Sequence, residues 1–290
     1  MRQGIVFTPG QVYIMGVVNC TPDSFSDGGL FFETDKAVAH GLELLEQGAD
    51  ILDIGGESTR PFSEPVPLEE ELKRVIPVVK KLRKKTDKLI SVDTQKAEVA
   101  RQALLEGADI VNDVSALRAD PKMAEVVEEF KCMVCVMHML GSPKDMQVAP
   151  HYKNCLKEIG DFLGERVAFC QGLGIPKEHI IIDPGIGFGK RLEDNLDLIA
   201  NLSFFKRLGT PLLIGLSRKS FLGQITGIEE PARRDVPSLS ALIWSVLQGA
   251  NIVRVHNVEW TKQALQVISS ISAHVRSNSA YQGLGRGCSN

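Results

Sequence analysis

Long apolar runs are missing from this sequence. In 290 residues no stretch approaches the roughly 18 consecutive apolar residues of a membrane-spanning helix, so no membrane role is expected. A disulfide framework is missing too. Six cysteines are too few for the dense staples of small secreted domains in a chain this long, which points to a reducing compartment. No excess of one charge exists: 33 Lys and Arg stand against 36 Asp and Glu, leaving a net charge of −3. A slightly acidic chain does not attract a polyanion, so no nucleic-acid partner is expected. The opening MRQGIVFTPGQ has one early arginine but neither a continuous apolar core nor a small-residue cleavage site. No signal peptide is expected, and the cytoplasm is the expected compartment.

Two nucleotide motifs are nearly present and fail. In DPGIGFGK the lysine, Lys190, is followed by Arg191 rather than Ser or Thr, and the glycine spacing is not that of a P-loop. The third glycine also comes one residue too early for a dinucleotide fingerprint. CMVC (132–135) lacks a second CxxC to complete a zinc site. It lies in an apolar run whose strand alternation puts Cys132 and Cys135 on opposite faces, so both are read as core.

What is present is a repeated unit. QGADILDIGG (47–56), EGADIVNDVS (106–115) and QGANIVRVHN (248–257) each follow a helical pattern. Each opens on a Gly-Ala that suits a helix C-cap, then runs through a short apolar strand. Each places a polar residue five positions after its glycine, namely Asp53, Asn112 and Arg254. Further apolar runs of the same kind give eight expected strands, at 12–18, 50–54, 89–93, 109–112, 132–137, 180–183, 211–216 and 251–255. Helical patterns separate them. Continuous Val/Ile/Leu strands are those buried on both faces of a parallel sheet, so the expected fold is a single-domain (β/α)8 TIM barrel, with a doubly wound open sheet as the alternative. The barrel domain is expected over 1–275, with residues 1–11 plugging its base and a polar, glycine-rich, disordered tail at 276–290.

In a barrel the carboxyl ends of the strands share one face, and chemistry sits there. Asn19, Asp93, Asn112, Asp183, Lys219, Arg254 and His256 would all meet at that mouth. Thr94 and Asp120 are expected to cap helices instead. The set divides by charge. Asp93, Asn112 and Asp183 suit a flat heterocycle with adjacent N–H and NH2 donors, because a buried carboxylate needs a partner and two parallel bonds supply it. Arg60, Lys219, Arg254 and His256 form a cationic half suited to phosphate or carboxylate. The segments NCTPDSFSDGG (19–29) and GGESTRPFSEP (55–65) are long for loops of this fold and read as lids, or as ordinary surface connections.

Taken together, these stretches resemble the dihydropteroate synthase family, the pterin-binding barrels of folate biosynthesis. The resemblance rests on MGVVNCTPDSFSDGG (15–29), DIGGESTRP (53–61), SVDT (91–94), NDVS (112–115), DPGIGFGK (183–190), GLSRKSFLG (215–223) and RVH (254–256), in that order over residues 12–260. It implies condensation of 6-hydroxymethyl-7,8-dihydropterin diphosphate with p-aminobenzoate, with Mg2+ as cofactor, in a homodimer that is a sulfonamide target. It also implies roles. Asp93, Asn112, Met137, Asp183, Gly215 and Lys219 would hold the pterin. Asn19, Thr59, Arg60, Arg254 and His256 would hold diphosphate, with Asn19 at the metal. Phe25, Thr59, Pro61, Phe188, Lys219 and Ser220 would shape the p-aminobenzoate pocket, and Asp27 would face the pterin methylene carbon. Asp27, Lys219, Arg254 and His256 would be the catalytic set. A methyltransferase on a related pterin barrel, a non-catalytic pterin binder and a barrel binding some other phosphate are the competing readings. Two residues depart from the family pattern: Cys20 stands where an aliphatic residue is common, and Phe62 where glycine is frequent.

Overall fold

The computed structural model describes residues 7–8, 10–20, 29–59, 63–142 and 144–277. Eight parallel strands run β1 (Tyr13–Asn19), β2 (Ile51–Gly55), β3 (Leu89–Asp93), β4 (Ile110–Asp113), β5 (Met133–Met137), β6 (Ile180–Asp183), β7 (Leu213–Gly215) and β8 (Ile252–Val255). They pair in the order β6-β5-β4-β3-β2-β1-β8-β7, and a parallel bridge between Ile182 and Leu212 joins the two ends. The sheet is therefore closed, and the open doubly wound alternative falls. Between and after the strands lie α1 (Gly29–Glu46), α2 (Leu68–Arg83), α3 (Ala97–Leu105), α4 (Met123–Phe130), α5 (Cys155–Gly172), α6 (Leu192–Ala200), α7 (Ser220–Thr226), α8 (Asp235–Leu247) and α9 (Val258–Ser277). The helix α7 is extra, inserted after β7 ahead of that strand's outer helix.

The Gly-Ala repeat works the same way in all three places. Gly48, Gly107 and Gly249 have φ of 106°, 103° and 109°, where a side chain would be strained. After each glycine, the alanine N–H returns to a carbonyl five residues back and the glycine N–H to one three back, which closes the helix with a Schellman motif. The next residue, Asp50, Asp109 or Asn251, then grips the start of the neighbouring strand. Its backbone N–H donates to the carbonyl of Ile14, Ile90 or Leu212. Its side-chain oxygen accepts from the N–H of that same residue, at 3.0, 2.9 and 3.0 Å. One short string thus stops a helix and sets strand register.

Strand alternation divides the core in two. Met15, Ile51, Leu89, Ile110, Cys135, Ile181, Leu213 and Ile252 fill the barrel's interior, and Phe7 packs with them below the strands. The intervening residues face the helices. Cys132 belongs to that outer cluster and Cys135 to the inner one, the opposition expected from alternation. Helix α2 shows how an outer helix is specified. Val75, Val78, Val79 and Leu82 lie on one buried stripe, with Glu69, Glu70 and Glu71 in the first turn and Lys80, Lys81 and Arg83 in the last, the polarity that suits the helix dipole.

Thr94 and Asp120 both cap, but not as expected. Neither is the residue flanking its helix. The Thr94 hydroxyl accepts from Lys96 N–H at 3.1 Å and donates to Glu71. The Asp120 carboxylate accepts from Lys122 N–H ahead of α4 and from Ala97 N–H at the start of α3, so it serves the helix before its own.

Candidate active site

The mouth starts from register. Asn19, Gly55, Asp93 and Asn112 lie level across four adjacent strands, and Asp183 lies level with Met137. Asp93, Asn112, Met137 and Asp183 are buried beneath the rim. The sequence placed Arg254 in a cationic half apart from these acids. The closed barrel puts it among them. Its Nε donates to Asp53 Oδ2 at 2.6 Å and its Nη2 to Asp93 Oδ2 at 2.8 Å. Asn112 Nδ2 also donates to Asp53 Oδ2, at 3.1 Å.

Asp53 is the site residue that the sequence reading passed over. It is the polar residue of its repeat unit, and the sequence alone assigns it no role. It is fully buried, and its Oδ1 has no hydrogen-bond partner. A buried carboxylate inside an apolar strand is itself the signal that could have found it.

Burial sets the electrostatics. Burial pushes the Asp93 carboxyl up to about 7, against the pull of Arg254, with the neighbouring Asp53 adding to the rise. Burial also raises Asp183, opposed by Lys219, by the Gly185 N–H that its Oδ1 accepts at 2.7 Å, and by Lys190. Burial lowers the Lys219 amine to about 8, with Asp183 holding it from falling further. Burial works against the Arg254 cation, but Asp53 and Asp93 outweigh it and hold the guanidinium charged.

The run SRKS after β7 gives four residues four tasks. Ser217 Oγ lies 2.9 Å from His256 Nδ1 and orients the ring. Arg218 has φ of 62° and turns away, forking onto Asp235 at 2.7 and 2.9 Å. That reversal leaves Lys219 facing the mouth, where its Nζ donates to Ile186 O and sits 4.7 Å from the centre of the Phe188 ring. Ser220 is exposed and opens α7. At Gly215 a Cβ would lie 3.8 Å from Arg254 Cβ and 3.9 Å from Lys219 Nζ, so its bare backbone leaves space between the two cations.

The loop DPGIGFGK is neither phosphate cradle nor fingerprint. Gly185, Gly187 and Gly189 have φ of 69°, 80° and 66°. A Cβ on Gly185 would stand 1.9 Å from His138 O, so the loop lies directly on the end of β5. Phe188 caps a small apolar cluster of Val114, Met137, Met139 and Met146 at the rim.

Asn19 ends β1 exposed at the mouth, and Thr59 stands half-buried on the loop after β2. Phe25, Asp27, Arg60, Pro61 and Phe62 lie outside the described residues. Among the described residues no cluster of His, Cys, Asp and Glu could hold a metal by itself. The Asn19 amide oxygen, exposed at the end of β1, is nevertheless a hard donor. It fits Mg2+, which keeps most of its waters and takes its remaining ligands from substrate phosphates.

A closed parallel barrel with buried acceptors and cations at the carboxyl ends of its strands defines an enzyme of the barrel class. The family model for pterin-binding enzymes matches residues 15–256, and the chain belongs to that family. Over 280 residues it is 42% identical to the dihydropteroate synthase of Escherichia coli (strain K12), covering 97% of this chain and 98% of that one. The solved dihydropteroate synthase of Xanthomonas albilineans with 4-aminobenzoic acid superposes with a TM-score of 0.85 at 48% identity, covering 91% of this chain and 94% of that one. The same enzyme in complex with 7,8-dihydropteroate gives a TM-score of 0.82 at 45% identity over the same shares, 91% and 94%.

Proposed function

We infer that the protein condenses 6-hydroxymethyl-7,8-dihydropterin diphosphate with p-aminobenzoate, releasing diphosphate and forming 7,8-dihydropteroate, the dihydropteroate synthase step of folate biosynthesis. The observation that carries this is the pairing in one mouth of three buried acceptor groups, Asp93, Asn112 and Asp183, with the cations Lys219 and Arg254.

A pterin edge offers adjacent N–H and NH2 donors. Asp183 accepts them as a pair, while Asn112 can both donate and accept at ring nitrogens. Met137 and Gly215 shape the space around the ring. Arg254 and His256, with Thr59 and Arg60 from the second loop, hold diphosphate. Bound Mg2+ would be held through Asn19 and would supply positive charge to the diphosphate oxygens. The bond between the pterin methylene carbon and the diphosphate oxygen breaks with its electron pair going to oxygen. Fixed cations meet that developing charge without reorganisation. The electron-rich dihydropterin shares the positive charge left on carbon, and Asp27 would face it. The amine nitrogen of p-aminobenzoate then forms the new bond and releases a proton. Phe25, Thr59, Pro61 and Phe188 would wall this second substrate, and Lys219 and Ser220 would give donors to its carboxylate.

Two coarser features complete the reading. Val236, Trp244 and Leu247 lie on one face of α8 and stay exposed, and this apolar stripe supports a homodimer; a single-chain mass in sedimentation would refute it. Among the described residues all five cysteines are free, and no helix is long and apolar enough to cross a membrane, which supports the cytoplasm. The test of function is complementation. Expressed in a bacterium lacking dihydropteroate synthase, the wild-type chain should restore growth without added folate products, and Lys219→Ala should not. Failure of the well-expressed wild type would refute the reading.

A further inference from the structure

The glycine loop at the mouth is fastened by side chains along its backbone. Four successive carbonyls are each held by a side chain: one donor follows β7, two lie on the connection between β5 and α5, and one is the loop's own Lys190. Ile186 O accepts from Lys219 Nζ, and Gly187 O from Gln147 Nε2 at 2.6 Å. Phe188 O accepts from Lys190 Nζ at 3.0 Å, and Gly189 O from Tyr152 OH at 2.7 Å. A backbone with three glycines in left-handed conformations has no helix or strand ladder to hold it, so these side-chain donors take that place.

Lys190 is the unusual member. It is 3% exposed, and among the described residues it forms no ion pair with a carboxylate. Besides Phe188 O it reaches His138 Nδ1 at 3.1 Å and His138 O at 3.4 Å. His138 is kept neutral by burial and by Lys190 beside it, so its ring nitrogen can accept. Burial lowers the Lys190 amine to about 7; in its protonated form the three donors match these three acceptors. Two of them are on the strand end after β5 and one is on the loop, so Lys190 binds one to the other directly behind Phe188.

We propose that Lys190 is a positioning residue for the second-substrate pocket, clasping the glycine loop to the end of β5 so that the Phe188 ring stands as a fixed wall. This rests on the reading that p-aminobenzoate packs against Phe188. Lys190 touches no substrate and acts through the loop. Tyr152 and Gln147 are its neighbours in the same task, whereas Lys219 serves both the loop and the mouth.

The experiment is a double-mutant cycle read in steady-state kinetics and calorimetry. Lys190→Met keeps the length and removes the donors. It should raise KM for p-aminobenzoate about tenfold, leave kcat within about twofold and leave pterin diphosphate affinity unchanged. In a Phe188→Ala background the same change should add less than about twofold, because the wall it holds is gone. An unchanged KM in folded Lys190→Met, or an equal rise in both backgrounds, overturns the proposal. If Lys190→Met does not fold, Tyr152→Phe removes only the hydroxyl on Gly189 O. It should raise KM for p-aminobenzoate by about threefold, and no rise overturns the proposal. Absence of turnover in the wild type would instead sink the functional reading itself.

Discussion

At the scale of single residues, Asp93 sets a pH dependence of opposite sign for stability and for binding. Folded Asp93 keeps its proton up to about 7, whereas its ordinary value is 3.8. The folded chain therefore binds the extra proton between those values, so this group's stabilisation is complete below the lower value and is lost as pH rises through the upper one. Pterin donors need the ionised carboxylate, so their affinity should rise about tenfold between pH 6 and 8, one pKa unit being about 1.4 kcal/mol. Calorimetric titration measures it, with Asp93→Asn as the control that should lose most of that rise. A flat profile in the wild type would remove Asp93 from ring recognition. The chemical identity of these residues was legible in the sequence, since a polar group ending an apolar strand has few structural reasons to be there. Their pairing was not. Arg254 and Asp53 are 201 residues apart, and only barrel closure brings the two together. The sequence grouped charges by sign, whereas a buried carboxylate selects a neighbour of opposite sign.

At the scale of elements, glycine position carries most of the instruction. The Gly-Ala units marked three strand starts correctly because the same Schellman geometry recurs in each. The eight strands lie within one or two residues of their expected bounds. The seventh is shorter than expected, Leu213–Gly215 rather than 211–216. Pro211 has no N–H to pair, and the Leu212 N–H goes to the Asn251 side chain. The short helix α7 spans only seven residues, Ser220–Thr226, before Gly227 closes it in a left-handed conformation. Two glycines of similar φ, 69° at Gly185 and 70° at Gly227, make a direct comparison. Alanine at Gly227 meets open space and should cost only the conformational term, about 1–2 kcal/mol. Alanine at Gly185 adds a collision with His138 O and should cost on the order of 4 kcal/mol or more. Thermal melting should separate them by roughly 4–10 °C in a chain of this size. Equal midpoints would mean that the loop does not lie on the end of β5 as described.

At the scale of the whole molecule, the barrel turns separate short motifs into one reaction site. Ring acceptors come from β3, β4 and β6, cations from the ends of β7 and β8, and the Phe188 wall from the loop after β6. Asp93 and Asn112 are level in register, Asp183 is level with Met137 and Arg254 with Gly215, and barrel closure gathers them at one mouth, which is why a motif order spread over most of the chain reads as one substrate-shaped site. The central claim is that this mouth joins a pterin to an aryl amine at the expense of the carbon–oxygen bond between the pterin methylene and diphosphate. The most direct measurement follows both products of the purified protein supplied with 6-hydroxymethyl-7,8-dihydropterin diphosphate, p-aminobenzoate and Mg2+. Mass spectrometry should find one 7,8-dihydropteroate for each diphosphate released, and Lys219→Ala should slow both by about a hundredfold or more. Release of diphosphate without the condensed product, or no release by folded wild-type protein, would contradict the account.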